Sequence, residues 1–236
     1  MTNTIDVNFT APMSKTSATA KQRANFTHYH LNSAKMFATR AVELEEYCKD
    51  DQQKKNEIHT DYISYVSSSI LASVAALESN INEMFIDFRE QYEAAHKNNA
   101  TPTNMMVQAI NVFSDDDMFK AIIGKPKKVI SKYMLLSVLK NKGHLIEETY
   151  YPTLAFIYEL RVRIVHFMPE WDCEKRKHES IKENYKKNFS TDFSLSSIYH
   201  KNALFFPYLC LSASCATWCM NTVQEFIAHY KSVVVP

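Results

Sequence analysis

Two glycines, Gly124 and Gly143, are all that the 236 residues contain. Tight sheet turns use glycine for positive φ, and phosphate or dinucleotide loops use it so that backbone can approach the ligand. A chain this poor in glycine cannot build such loops, and helix is expected nearly throughout. No excess of charge exists either: Lys+Arg 27 against Asp+Glu 26 leaves a net charge of +1. A general electrostatic grip on nucleic acid needs a basic surplus, so only local patches remain for that purpose. Two are visible, "KPKK" at 125–128 and "CEKRKHESIKENYKK" at 173–187, and each reads first as a solvated loop or helix face.

The five cysteines, Cys48, Cys173, Cys210, Cys215 and Cys219, include no C-x-x-C, and no His or Cys partners stand at metal-ligand spacing. Buried, reduced thiols are expected, with no metal and no cofactor. Asp115, Asp116 and Asp117 are consecutive, so on a helix they point different ways and read as an acidic helix start. The N-terminus lacks an apolar signal core, so a cytoplasmic chain is expected and the sequons at Asn25, Asn99 and Asn188 carry no meaning. The uncharged run from Asn202 to Gln224 contains Pro207 and Asn221, which suits a buried helix better than a membrane span.

What is present is apolar periodicity. With 46% hydrophobic residues the chain can bury a sizeable core. Residues 1–20 read as a flexible arm and 21–236 as a single helical domain. One helix is expected from Phe26 to Asp50, on Leu31, Ala34, Phe37, Ala38, Ala41, Leu44 and Cys48. After the polar turn "KDDQQKKN", a second runs from Ile58 to His96 on a seam from Ile63 to Phe88, with small residues that admit a close neighbour. Shorter pieces are expected at Met105–Phe113, Met118–Ile122 and Val129–Leu139. A further long helix opens near Pro152, acceptable in a first turn, and ends at Phe167–Met168 before Pro169. A polar insertion over 170–200 carries a short helix at 179–188, and the last helix spans Pro207 to Lys231. The fold class is all-α: an up-and-down bundle of four to five long helices with inserted short ones.

One helix holds an anomaly. At about 100° per residue, the apolar residues of "LAFIYELRVRIVHFM" other than Ala155 and Val162 fill one broad arc, and Arg161 falls inside it. Such an arginine must meet a carboxylate, a carbonyl or a ligand phosphate. An internal partner would be Glu78 or Glu83 on the second helix. Glu159, Arg163 and His166 share the opposite face at four- and three-residue spacing, and His166 lies near a helix C-terminus, where an imidazolium is favoured.

"YELRVRIVHF" at 158–167 resembles the R-x4-H signature of HEPN (higher eukaryotes and prokaryotes nucleotide-binding) domains, with Arg161 and His166 at its two defining positions. "ILASVAALESNINEMF" at 70–85 resembles the Ala-rich helix preceding the motif in bacterial members, and "CLSASCATWCMNTVQEFIAHY" at 210–230 resembles their closing helix. The likeness covers most of the chain beyond residue 25 in layout, and its specific motif is two residues. It implies a HEPN-like bundle and metal-independent RNA cleavage by 2′-OH attack, in a toxin–antitoxin or phage-defence setting. Arg161 and His166 would be catalytic. Arg163 is a reserve phosphate contact and Glu159 an orienting group, or the two form a plain surface pair. The resemblance also implies a homodimer with the site at its interface, an RNA substrate and an antitoxin or regulatory partner. Family members usually carry a polar residue after the arginine, where this chain has Val162. Met168 replaces the modifiable tyrosine of one toxin subset, which argues against regulation by tyrosine nucleotidylation. Two other readings stay open: an inactive RNA- or nucleotide-binding module, and a helical protein-interaction adaptor.

Overall fold

Ala34, Ala38 and Ala41 recur at four- and three-residue steps, and all three are buried. They form the contact stripe of α1 (Phe26–Tyr47) against α2 (Gln52–His96). With small side chains on both helices the backbones come close enough for the Ser69 hydroxyl to donate to the Ala34 carbonyl at 2.8 Å. The computed structural model describes residues 24–49, 51–96, 128–140, 142, 150–169 and 178–234. The expected arm, the helical pieces at 105–113 and 118–122, the Asp115–Asp117 run, the "KPK" of the first basic patch and Cys173 fall outside them.

The described residues are helical apart from turns and short connections, and they pack as a bundle. Downstream of α2 lie α3 (Lys128–Leu139), α4 (Tyr151–Val165), α5 (Glu179–Asn188) and α6 (Ala213–Val234). A π turn, Phe205–Leu209, precedes α6. The α2 seam Val66, Ile70, Val74, Leu77, Ile81, Phe85 and Phe88 is buried as its spacing requires, and α1, α3, α4 and α6 all pack on it. The α1–α2 pair is antiparallel: Tyr62 meets Glu45 near one end and Thr27 meets Glu83 near the other.

Two helix starts are set by carboxylates. Asp51 Oδ1 accepts from the Gln53 and Lys54 amides at 3.0 and 3.1 Å, satisfying two of the orphan donors of a helix N-terminus. This cap lets α2 begin at Gln52 rather than Ile58, and it shortens the expected turn. At the start of α1, Asn25 makes no side-chain cap. Glu83, far along the chain, accepts instead from the Phe26 and Thr27 amides at 2.9 and 3.2 Å and from the Thr27 hydroxyl at 2.7 Å.

The last helix starts at Ala213, not at Pro207. Leu204 to Leu209 turn with wide spacing, Cys210 N donating to the Phe205 carbonyl at 2.7 Å, and Phe206 leaves helical geometry at φ −115, ψ 130. At the entry to α6 the buried Tyr62 hydroxyl accepts from the Ala213 amide at 2.9 Å and from Ser196 Oγ at 3.3 Å, and donates to Glu45 Oε2 at 3.2 Å. One phenol thereby ties α1, α2, the 189–204 connection and α6. A second node joins α2, α3 and α6. Tyr133 donates to Leu77 O and Asn80 Oδ1, both at 3.0 Å, while Tyr230 donates to the Tyr133 carbonyl at 2.7 Å. Cys48, Cys210, Cys215 and Cys219 are buried free thiols. Among the described residues no helix is long and apolar enough to cross a membrane.

Candidate functional site at the end of α4

α4 leaves the core as it runs. Leu154, Ala155, Phe156, Ile157 and Leu160 are buried, residues 161–164 are half-buried, and Val165, His166, Phe167 and Met168 are exposed. The apolar arc drawn on the sequence is therefore fully buried only as far as Leu160, with Ile164 half-buried against the core. The helix also stops at Val165, earlier than the expected Phe167–Met168. His166 is its C-cap at φ −111, ψ 41, with its amide bonded to the Val162 carbonyl. Pro169 offers no N–H and biases its predecessor toward extended geometry, so the chain unwinds ahead of it.

Arg161 sits where the core ends. The expected internal partners do not meet it: Glu83 is engaged at the start of α1, and neither it nor Glu78 pairs with Arg161 among the described residues. Its guanidinium lies over the Tyr158 ring, 5.9 Å from the centroid, one turn back along the helix. An arginine at the margin of the core can hydrate its head while its stem lies on apolar surface, so no ion pair is required there. His166 projects from the unwound end, and no hydrogen bond or ring contact joins it to Arg161 among the described residues.

The other two candidates are joined to each other. Arg163 Nε and Nη2 both reach Glu159 Oε1, at 3.1 and 2.8 Å, an i,i+4 pair with side chains 17% and 30% exposed. Arg163 Nη1 is 2.9 Å from His178 Nδ1, and Nη2 donates to Ser180 Oγ at 2.8 Å. Glu159 thus orients Arg163 rather than His166. The Arg163 fork is spent on protein partners, which leaves it poorly placed as a phosphate contact.

His178 is a residue that the sequence did not single out. It lies in the charged stretch expected to be a solvated face, yet it is buried. Its ring stacks on Phe167 at 5.8 Å and 6° and packs on Phe206 at 5.1 Å. A guanidinium only donates and a carbonyl only accepts. Nδ1 therefore accepts from Arg163, and Nε2 carries the proton toward the Met168 carbonyl at 3.2 Å. The ring pins the segment after His166 to the start of α5. The signal in the sequence was the apolar spacing of His178, Ile181 and Tyr185, all buried, beneath a high density of charge.

Beside His178 opens a cleft of about 560 Å³ between α5 and the 201–209 segment, lined by aromatic rings and by Lys182, Lys186 and Lys201. Among the described residues no group of three His, Cys, Asp or Glu side chains could hold a metal ion. The architecture defines the class as an all-α bundle with an Arg-x4-His pair at the emerging end of one inner helix. Compared with known proteins, the chain matches no family model, no curated protein and no solved structure.

Proposed function

We propose that the chain is a HEPN-type endoribonuclease that cleaves RNA without a metal, acting in the cytoplasm as a toxin or phage-defence effector. The observation that carries this reading is the state of Arg161. Its fixed charge is half-buried at the head of the exposed His166 segment, with no carboxylate on it among the described residues. A phosphate crossing this end of α4 would meet a guanidinium whose donors are not consumed by the described residues.

The chemistry divides between two side chains. The ribose 2′-OH attacks the adjacent phosphorus, the P–O5′ bond breaks, and the products are a 2′,3′-cyclic phosphate and a 5′-OH end. Arg161 offers paired N–H donors to the equatorial oxygens as charge grows on the phosphorane. His166 takes the 2′-OH proton or returns one to the leaving 5′ oxygen. One imidazole cannot hold both roles in a single turnover, and two copies related by a two-fold axis would supply two. The exposed Val165, Phe167 and Met168, at 48%, 44% and 60%, surround His166 with apolar surface for such a contact. An effector of this kind also calls for an antitoxin or regulatory partner.

The test is incubation of the purified protein with mixed RNA in EDTA. Cleavage leaving cyclic phosphate ends, abolished in His166→Ala and Arg161→Ala while the helical circular dichroism is unchanged, supports the enzyme. A second reading, an RNA-binding module that does not cut, draws on two observations: Val162 follows the arginine, and Glu159 holds Arg163 instead of orienting His166. Bound but intact RNA would favour it.

A further inference from the structure

The cleft beside His178 has no part in the chemistry above, and its lining is divided by type. Its walls are apolar: Tyr185 from α5, with Phe205 and Phe206 from the π turn. Its rim carries Lys182, Lys186 and Lys201 against one carboxylate, Glu179. Lys182 is bonded to that carboxylate at 3.1 Å. Lys186 and Lys201 are exposed and have no ion-pair partner among the described residues. Two ammonium groups not neutralised by any described residue, over an aromatic cavity, suit a ligand with a flat apolar body and anionic oxygens. The volume lies within the range of about 300–1,000 Å³ typical of small-molecule pockets.

His178 forms part of this lining, but both ring nitrogens are spent on Arg163 and on the Met168 carbonyl. It offers the cleft a ring face and no free proton acceptor, so the cleft is built for holding rather than for reacting. Its position decides what it holds. Phe206, in the cleft wall, packs at 6.2 Å on Phe167, the residue next to His166. The cleft wall therefore touches the residue that follows His166 in the chain.

We infer that the cleft is a subsite for one nucleotide of a single-stranded RNA, flanking the phosphodiester presented to Arg161 and His166. The base lies against the half-buried Phe205 ring, with the buried Tyr185 and Phe206 behind it, and Lys186 and Lys201 hold the phosphates on either side of it. Aromatic stacking with a lysine rim is how single strands are gripped without paired-base readout. The inference rests on the ribonuclease reading for its purpose, though the binding itself does not require cleavage.

The experiment is fluorescence anisotropy with a short labelled 2′-O-methyl oligoribonucleotide, which cannot undergo 2′-OH attack, on the full chain. The Lys186→Ala/Lys201→Ala double variant, altered only at exposed positions, should lose about tenfold in affinity at physiological salt. The slope of log K against log salt should fall by about 1.4, two single-strand phosphate contacts at roughly 0.7 each. Phe205→Leu should weaken binding with the slope unchanged. Unaltered affinity and slope in the double variant would overturn the subsite even if wild-type protein cuts RNA. Lysine-dependent binding in a protein that never cuts would keep the subsite and discard the nuclease. If adenosine 5′-monophosphate binds as tightly as the oligonucleotide through the same lysines, the cleft is a mononucleotide site and the strand path is wrong.

Discussion

Arg163 donates to His178 Nδ1 at 2.9 Å while its other nitrogens reach Glu159 and Ser180. That contact joins α4 to α5 and holds the chain on both sides of residues 170–177 against one guanidinium. Arg163 is thus a structural clamp, two residues along the chain from the arginine proposed to meet RNA.

Replacing Arg163 with alanine leaves the half-buried Glu159 carboxylate and the buried His178 Nδ1 without their partner. Unsatisfied groups of this kind cost about 1–3 kcal/mol, and a lower urea midpoint should report it. Arg163→Lys should recover little, because an ammonium lacks the planar fork that serves three acceptors together. Wild-type stability in Arg163→Ala would show that the clamp carries no energy.

Arg161 should behave in the opposite way. With no ion pair to lose among the described residues, Arg161→Ala should change stability by less than about 2 kcal/mol, in the range of a partly desolvated cation–π contact. RNA cleavage should nevertheless disappear. A loss of about 3–5 kcal/mol, the signature of breaking a buried pair, would instead identify Arg161 as a core residue and remove the basis of the proposed function.

The Tyr62 hydroxyl serves Ala213, Ser196 and Glu45 at once. Tyr62→Phe keeps the ring and strips the α6 amide and the Ser196 hydroxyl of their acceptor. A destabilisation of about 1–3 kcal/mol follows, measurable by denaturant unfolding followed by far-ultraviolet circular dichroism.

The thiols and phenols set an alkaline limit. The Cys210 thiol is held above its ordinary value by its hydrogen bond to Cys215 and by burial, and burial raises Cys215, Cys48, Tyr133 and Tyr62. The folded chain keeps protons that the unfolded chain releases, so stability is full below the unfolded values and declines as pH rises past them. Thermal midpoints should fall above about pH 9, the ordinary thiol value being 9.0. At neutral pH iodoacetamide should modify Cys48, Cys210, Cys215 and Cys219 only after unfolding. Rapid labelling of the native protein would contradict their burial.

The sequence by itself determined the class and the elements. Two glycines and three- and four-residue apolar steps leave helix as the only regular structure able to bury so much surface, and the α2 seam follows from spacing alone. Helix ends were less legible. Asp51 beside its own helix was readable as a cap in principle, whereas the cap on α1 comes from Glu83, which no local pattern connects to Phe26. Only the tertiary structure decided which charges are spent. Helical periodicity reports which residues share a face, but not where along that face the neighbouring helix stops. Arg161 and Arg163 look alike in sequence. They differ because full burial on α4 ends at Leu160 and because the fold brings His178 to one of them.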